Sequence, residues 1–337
     1  MNAPRTRRAR VRALAKINLD LRVLEKRSDG YHELRTIFQT VSLADSLEIA
    51  FTPASGTAIE FEDPLALPDN LALRAARLAM EAMPVRGHVA MRLTKRIPMG
   101  AGLGGGSSDA AAVLLALPVL AGGVLDFAVL AALARELGSD VPFFLMGGRA
   151  AGIGRGTELF PLPDRPSRRG LLVAPPVHVS TAEAYRALSP RLTTELQQNK
   201  IFSFQSQVWD VSTAVPAGND FEPAVFARHP ELAALKEKLL RAGASPALMT
   251  GSGSSLFGLF RDAGEVSRAI ATIGTKSPAA ALAEPPGGEP SSGEWPAGNP
   301  DFFRISLVNR ARYRALWWRW LKEHCHGNAW PPRSRYA

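Results

Sequence analysis

The sequence predicts two domains, each mixing β-strands with α-helices, joined near residue 165. Three observations lead there. At 337 residues the chain is long enough for two cores of ordinary size. Stretches of period-two alternation are interleaved with stretches of helical spacing along most of its length. Between Pro161 and Arg169 stand three prolines and three arginines, which reads as a connection between domains.

In chain order, Val11–Leu24 alternates with a period near two and predicts the opening strand. Arg27–Gly30 is a turn signal, and Arg35–Val41 alternates again. Ser46–Phe51 and Ala58–Phe61 are predicted strands, separated by the breakers Pro53–Gly56. Asn70–Ala82 carries Leu71, Ala75, Leu78 and Ala79 at helical spacing and stops before Pro84. Gly87–Leu93 is a predicted strand, and a glycine-rich loop then runs into the helix Ser107–Leu117. A second helix, Phe127–Leu137, leads to Gly138–Pro142. Past the connection come a strand at Leu171–Val179 and helices at Thr181–Leu188 and Glu231–Arg241. Ala247–Phe260 places a glycine turn between two apolar strands, and Phe302–Val308 predicts the last strand. Residues 274–300 are dominated by Pro, Gly, Ser and Ala; they cannot bury enough apolar surface to offset their ordering entropy and predict a disordered insertion. The expected division is a disordered basic arm over residues 1–12, domains at 13–164 and 165–313, and a basic, tryptophan-rich tail over 314–337.

Composition narrows the class. Hydrophobic residues make up 46% and charged residues 21%, the balance of a soluble globular protein. The single cysteine, Cys325, excludes an intramolecular disulfide and a multi-cysteine zinc site. The longest apolar run, Ala110–Leu125, falls short of a membrane span and is interrupted by Pro118, and no signal peptide is apparent, so a cytoplasmic location is expected. The net charge of +9 comes from the ends: residues 1–12 hold five arginines, and residues 301–337 hold eight Lys/Arg against two acids. The intervening body has 27 basic and 29 acidic groups, so no nucleic-acid partner is expected. Trp317, Trp318 and Trp320 in the tail are expected to cover the C-terminal domain's own apolar face, with a partner or membrane surface as the alternative. Nothing in the sequence fixes an oligomeric state.

The chemistry is concentrated in Pro98–Asp109. Five glycines in seven positions (Gly100, Gly102, Gly104, Gly105 and Gly106) alternate with Ala101 and Leu103 and are followed by Ser107 and Ser108. Glycine lets backbone approach a ligand closely, and the following helix N-terminus, capped by Ser107, Ser108 or Asp109, favours an anion. Loop and helix together make a phosphate cradle. A P-loop would need a lysine after Gly106, and none is there. Gly100, Gly102 and Gly105 fit a dinucleotide fingerprint with Asp126 at about the right distance, but that motif follows directly from an apolar strand, and here Thr94–Pro98 intervenes. A plain mobile turn is the remaining alternative.

Pro98, Met99 and the glycines through Ser108 resemble, nearly residue for residue, the loop of the galactokinase–homoserine kinase–mevalonate kinase–phosphomevalonate kinase (GHMP) superfamily. Ala15–Leu19, Arg27–Leu34, Gly104–Asp109, Leu137–Pro142 and Gly251–Ser255 further resemble one branch of it. That branch phosphorylates 4-diphosphocytidyl-2-C-methylerythritol in the non-mevalonate isoprenoid pathway. The resemblance implies an α+β fold: an N-terminal domain like the second domain of ribosomal protein S5, and a ferredoxin-like C-terminal domain. It implies ATP and Mg²⁺, with Pro98–Ser108 on the nucleotide and Ser108 as the magnesium candidate.

It also implies roles for single residues, beside which the residues' own readings stay open. Asp140 would be the base that takes the hydroxyl proton; from spacing alone it reads as a loop aspartate capping the next turn. Lys16, an isolated lysine in an apolar strand, would pair with it; alternatively it snorkels at a strand edge. Asn18, on the same strand face, would bind substrate. Tyr31 would stack on cytosine and His32 would hydrogen-bond to it, with Tyr31 in a core as the alternative. Thr181 and Tyr185, one helical turn apart, would contact methylerythritol and complete the aromatic clamp. Gly251, Ser252 and Gly253 would form a second backbone nest, or else a plain hairpin turn. Asn219 and Asp220 match a family signature without a derivable role. A homoserine- or mevalonate-type kinase and a non-catalytic S5-like binding protein are the rivals; Asn18, Tyr31 and His32 oppose the first, Lys16 and Asp140 the second.

Overall fold

The computed structural model of the chain describes residues 5–28, 30–63, 66, 69–188, 204, 217–274, 299–327 and 329–336. The expected insertion falls almost wholly outside them. The first sheet is built on two long antiparallel strands, β1 (Arg7–Lys26) and β2 (His32–Pro53). The second half of β2 pairs with β4 (Gly87–Thr94), which is flanked in parallel by β3 (Ala58–Glu62). Its first half pairs with β5 (Arg149–Gly154), which forms a hairpin with β6 (Glu158–Pro161). The two stretches expected as separate strands, Arg35–Val41 and Ser46–Phe51, are thus parts of one. Polar Asp45 fits within the strand because its buried carboxylate accepts from the Arg96 and Ile97 amides and from Lys95.

Four helices cover this sheet: α1 (Leu71–Glu81), α2 (Gly105–Ala121), α3 (Phe127–Leu137) and α4 (Val141–Met146). Asn70 caps α1 by accepting from the Ala72 amide at 2.9 Å, and Asp126 caps α3 through Val129 at 3.0 Å. Asp126 is therefore a helix cap and not the ribose-binding acid of a dinucleotide fold. From Ser108 to Ala121 every residue of α2 is buried, which is why the stretch from Ala110 onward is apolar all round.

The second sheet contains β7 (Arg169–Ala174), β8 (Ala247–Met249), β9 (Leu256–Phe260) and β10 (Asp301–Ser306), in the order β10-β7-β9-β8 and wholly antiparallel. Helices α5 (Thr181–Leu188), α6 (Glu222–Phe226) and α7 (Pro230–Arg241) lie between β7 and β8, and α8 (Ala263–Gly274) lies between β9 and β10. This is the connectivity and strand order of a ferredoxin-like split βαβ. The two sheets meet where Val308 donates to the Thr40 carbonyl at 2.9 Å and Val41 bridges Leu307. A shared apolar cluster of Ile17, Val41, Leu103, Leu172, Phe257 and Ile305 fills the junction and holds the cleft walls at fixed spacing.

Both chain ends depart from expectation. Residues 7–12 begin β1: Arg8, Arg10 and Arg12 point to solvent while Ala9, Val11 and Ala13 turn inward, so an edge strand forms where a disordered arm was expected. The tail forms α9 (Arg310–Leu321), and Tyr313, Trp317 and Leu321 join the core of the first sheet, not that of the C-terminal one. The remainder runs back over the same domain. Trp330 Nε1 donates to the Leu145 carbonyl at 3.1 Å, Ser334 Oγ to that of Val119 at 2.7 Å, and the Arg7 guanidinium lies 3.8 Å over the Tyr336 ring. Trp317→Ala, which empties a fully buried position, is expected to destabilise the fold by about 3–5 kcal/mol, read as a lowered urea midpoint.

Candidate active site

The cleft between the sheets encloses about 690 Å³. Its floor is the glycine loop. Gly104 is the N-cap of α2 at φ +69°, and no side chain caps the helix, so Ser107–Asp109 lie within its first turns rather than serving as caps. Gly104–Ser107 line the cleft, leaving uncapped first-turn amides beside it. The loop is pinned from the C-terminal domain: a Cβ on Gly102 would lie 2.1 Å from the Thr250 carbonyl oxygen, so only glycine permits this approach. Such a helix start, with the macrodipole behind it, accommodates an anionic phosphate chain.

Ser108 does not face the cleft. It is buried, and its hydroxyl donates to the Leu14 carbonyl at 2.7 Å, which removes it as the magnesium candidate. Among the described residues, the wall does offer oxygens beside the loop, including the Ser107 hydroxyl and the Asp140 carboxylate, while the nearby Asp109 carboxylate is engaged by Lys95. Magnesium typically keeps several waters and takes only one or two protein carboxylates besides substrate phosphates, so this sparse donor set fits it.

Beyond the loop, a register shift in β1 between Leu14 and Lys16 frees the Lys16 amide from the ladder to donate to the Leu103 carbonyl at 3.0 Å. The Lys16 ammonium is buried, 2.8 Å from Asn18 Oδ1 and 3.6 Å from Asp140 Oδ2. It does not snorkel. Asp140 occupies the N-cap position of α4 but makes no capping hydrogen bond, so its partly exposed carboxylate remains turned to the cleft. Asn18 is 2% exposed, and its Oδ1 also accepts from the Gly251 amide at 3.0 Å. Its Nδ2 donates to Thr36 Oγ1 at 2.7 Å, leaving one amide hydrogen for a ligand.

The far end of the cleft is arranged differently from the expected clamp. Tyr185 lines the wall, but its face carries the His32 ring at 4.8 Å and 24°. Tyr31 is not a core residue: it is 53% exposed, and its face carries the Arg155 guanidinium at 3.4 Å. Burial pushes the Tyr185 hydroxyl up to about 12, with the Asp140 charge adding to the effect. Burial and then the Lys26 charge hold His32 below its usual value. Thr181 and Ser252 also line the wall and share a hydroxyl–hydroxyl hydrogen bond of 2.8 Å. The expected nest is largely used up: the Gly251 amide serves Asn18, the Gly253 amide serves the Thr250 carbonyl, and Gly253 does not reach the cleft. Asn219 gains a role, donating to the Met249 and Gly251 carbonyls at 2.8 Å and so holding that turn in place.

Several contributors escaped the sequence. Lys95 is held between the buried carboxylates of Asp45 and Asp109, 2.8 Å from the latter. Burial lowers the Lys95 value, but the two carboxylates outweigh it and hold the ammonium above the usual lysine range. Burial pushes the Asp109 carboxyl up to about 7 despite the opposing pull of Lys95. Arg155 at the β5–β6 tip and Thr250 gave no signal, because a single polar residue in a turn has no spacing to betray it.

Comparison with known proteins now identifies the frame. Residues 70–148 match the GHMP kinases N terminal domain family, and residues 211–278 match GHMP kinases C terminal. Over 335 residues the chain is 61% identical to a 4-diphosphocytidyl-2-C-methyl-D-erythritol kinase of Solibacter usitatus, covering 98% of each. The chain belongs to the 4-diphosphocytidyl-2-C-methyl-D-erythritol kinase family of GHMP kinases. A relative so named from Pelotomaculum thermopropionicum is 45% identical over 253 residues, 74% of this chain and 88% of its own length. The crystal structure of a 4-(cytidine 5'-diphospho)-2C-methyl-D-erythritol kinase superposes with a TM-score of 0.69 at 37% identity, covering 89% of this chain and 99% of that one. A homoserine kinase from Cytophaga hutchinsonii gives 0.68 at 18% identity, covering 90% of this chain and 95% of that one, and shares the fold. As a member of the family the chain is a small-molecule kinase with an α+β GHMP fold.

The Lys95 cluster yields a pH prediction. Because the folded Asp109 value of about 7 lies above the ordinary 3.8, the native state retains a proton that the unfolded state has lost. Asp109 therefore makes stability fall as pH rises from about 4 to about 7, with no further change from this group above that. Asp109→Asn should flatten that part of the profile, measured as urea midpoints at a series of pH values.

Proposed function

We propose that this kinase transfers the γ-phosphate of ATP to the 2-hydroxyl of 4-diphosphocytidyl-2-C-methyl-D-erythritol. The observation that carries the reading is the Lys16–Asp140 pair, 3.6 Å apart, on a cleft whose floor is an uncapped phosphate-binding helix start. The names of the relatives in the same family support the choice of acceptor.

In this reading the ATP phosphates lie along Gly100–Ser107, and the adenine takes the apolar end near Leu71, Leu93 and Ile97. The acceptor hydroxyl sits against Asp140, whose carboxylate accepts its proton as the new O–P bond forms in line and the bond to ADP breaks. Lys16 orients the carboxylate and offsets charge on the phosphoryl group in flight. Magnesium, held by the nucleotide phosphates with Ser107 or Asp140, would supply further charge neutralisation. Thr181, Ser252 and the remaining Asn18 amide hydrogen face the acceptor, and Tyr185 and Tyr31 flank its base. A cytoplasmic location accords with an ATP-dependent step.

The test is ATP consumption by the purified protein with a panel of acceptors. Turnover on the cytidyl substrate is expected; turnover on homoserine or mevalonate alone would sink the assignment. Asp140→Asn and Lys16→Ala should each lower kcat by roughly 100- to 10,000-fold with an unchanged circular dichroism spectrum. Near-normal turnover in either variant would remove that residue from the chemistry.

A further inference from the structure

Charge accounting among the described residues of the cleft leaves one cation without an ionic task. Among the described residues, the basic side chains lining it are Lys16, Lys95 and Arg155. Lys16 is held by Asn18 and Asp140, and Lys95 by Asp45 and Asp109. Arg155 has no carboxylate within ion-pair distance among the described residues; its guanidinium rests face-on against Tyr31, 3.4 Å from the ring centroid. The acceptor carries a diphosphate between its base and its methylerythritol unit, and a diphosphate taken into a cleft requires charged or hydrogen-bonding partners. The α2 N-terminus is committed to ATP in the function proposed above.

Arg155 is placed to answer that need. It stands at the tip of the β5–β6 hairpin between Gly154 at φ +67° and Gly156 at φ +83°, conformations that glycine adopts without strain. Gly154 pairs with Leu34 of β2, which brings the tip beside the Tyr31–His32 turn. A planar guanidinium stacks on an aromatic ring and also binds phosphate oxygens in pairs, which an ammonium does not do. Its present position on Tyr31 is one that a nucleobase stacking there would have to take over.

We propose that Arg155 forms a diphosphate subsite: it rests on Tyr31 in the free enzyme and moves to the acceptor's diphosphate on binding, yielding the ring face to the base. The inference rests on the acceptor reading given above. It has a distinctive consequence. A ligand with a diphosphate gains from Arg155, whereas the bare nucleoside must compete with it for Tyr31.

The test is calorimetric titration of the full-length protein, its ATP site filled by a non-hydrolysable ATP analogue, with CDP and separately with cytidine. The unmodified protein should prefer CDP. Arg155→Ala should weaken CDP binding by roughly 10- to 100-fold, the loss of a hydrogen-bonded charge contact, while cytidine binding stays equal or tightens. Arg155→Lys, which keeps the charge without the planar fork, should fall between. Unchanged affinity for the ATP analogue and an unchanged urea midpoint would exclude misfolding as the cause. An equal loss for both ligands, or no loss for CDP, would overturn the subsite while leaving the acceptor reading intact. If neither ligand binds the unmodified protein, the acceptor reading fails and the subsite with it.

Discussion

The site depends on one buried carbonyl oxygen, Oδ1 of Asn18. It accepts from the Lys16 ammonium at 2.8 Å, the Gly251 amide at 3.0 Å and the Thr250 hydroxyl at 3.3 Å. The first of these donors belongs to the first sheet and the other two to the turn after β8 in the second. A side chain that is 2% exposed therefore fixes the spacing of the two domains at the point where the chemistry is read to occur. Its loss would leave several buried donors unpaired, a larger penalty than the net worth of any one bond. The family resemblance implied a ligand-binding role for Asn18; its geometry makes it first a strut, because most of its hydrogen-bonding capacity is already engaged.

From that strut the arrangement spreads outward. Gly102 can approach the Thr250 carbonyl only because the turn after β8 is held, and the glycine loop is thereby pressed between the domains. Asn219 secures the other side of the same turn. On the N-terminal side, the Lys95–Asp45–Asp109 cluster locks the chain between β4 and the loop from beneath, with Ile97 donating to Asp45 at 2.8 Å. The loop is flexible by composition but anchored at both ends by buried polar contacts. Its uncapped helix start is thus held in place before any phosphate arrives, so little reorganisation is needed on binding.

The C-terminal extension shows how charge and apolarity can be misjudged separately. Arg7, Arg8, Arg333 and Arg335 give both ends a polar character that suggests solvated tails. In the fold the ends meet, with His324 hydrogen-bonded to the Arg8 carbonyl at 2.8 Å and Tyr336 under the Arg7 guanidinium. Arginine stems and rings cover apolar surface while their charged heads stay wet. The three tryptophans lie on one helix, and Trp317 alone is fully buried, against the first sheet's helices and not the second domain.

The sequence by itself determined the glycine-rich loop running into a helix and most of the strand and helix segments, while the pairing of Lys16 with Asp140 entered through the family resemblance. The first two rest on local information, because glycine freedom and alternation are read within a dozen residues. Tertiary structure alone decided the rest. Ser107 rather than Ser108 faces the cleft, because helical phase depends on where α2 begins, and Gly104 starts it earlier than the serines suggested. Two expected strands became one long β2, because Asp45 found its partners some fifty residues downstream. Tyr31 and Tyr185 carry Arg155 and His32 on their faces, contacts no local pattern encodes. Periodicity reports which way a side chain points from its own element; what it meets is set by residues far away in sequence.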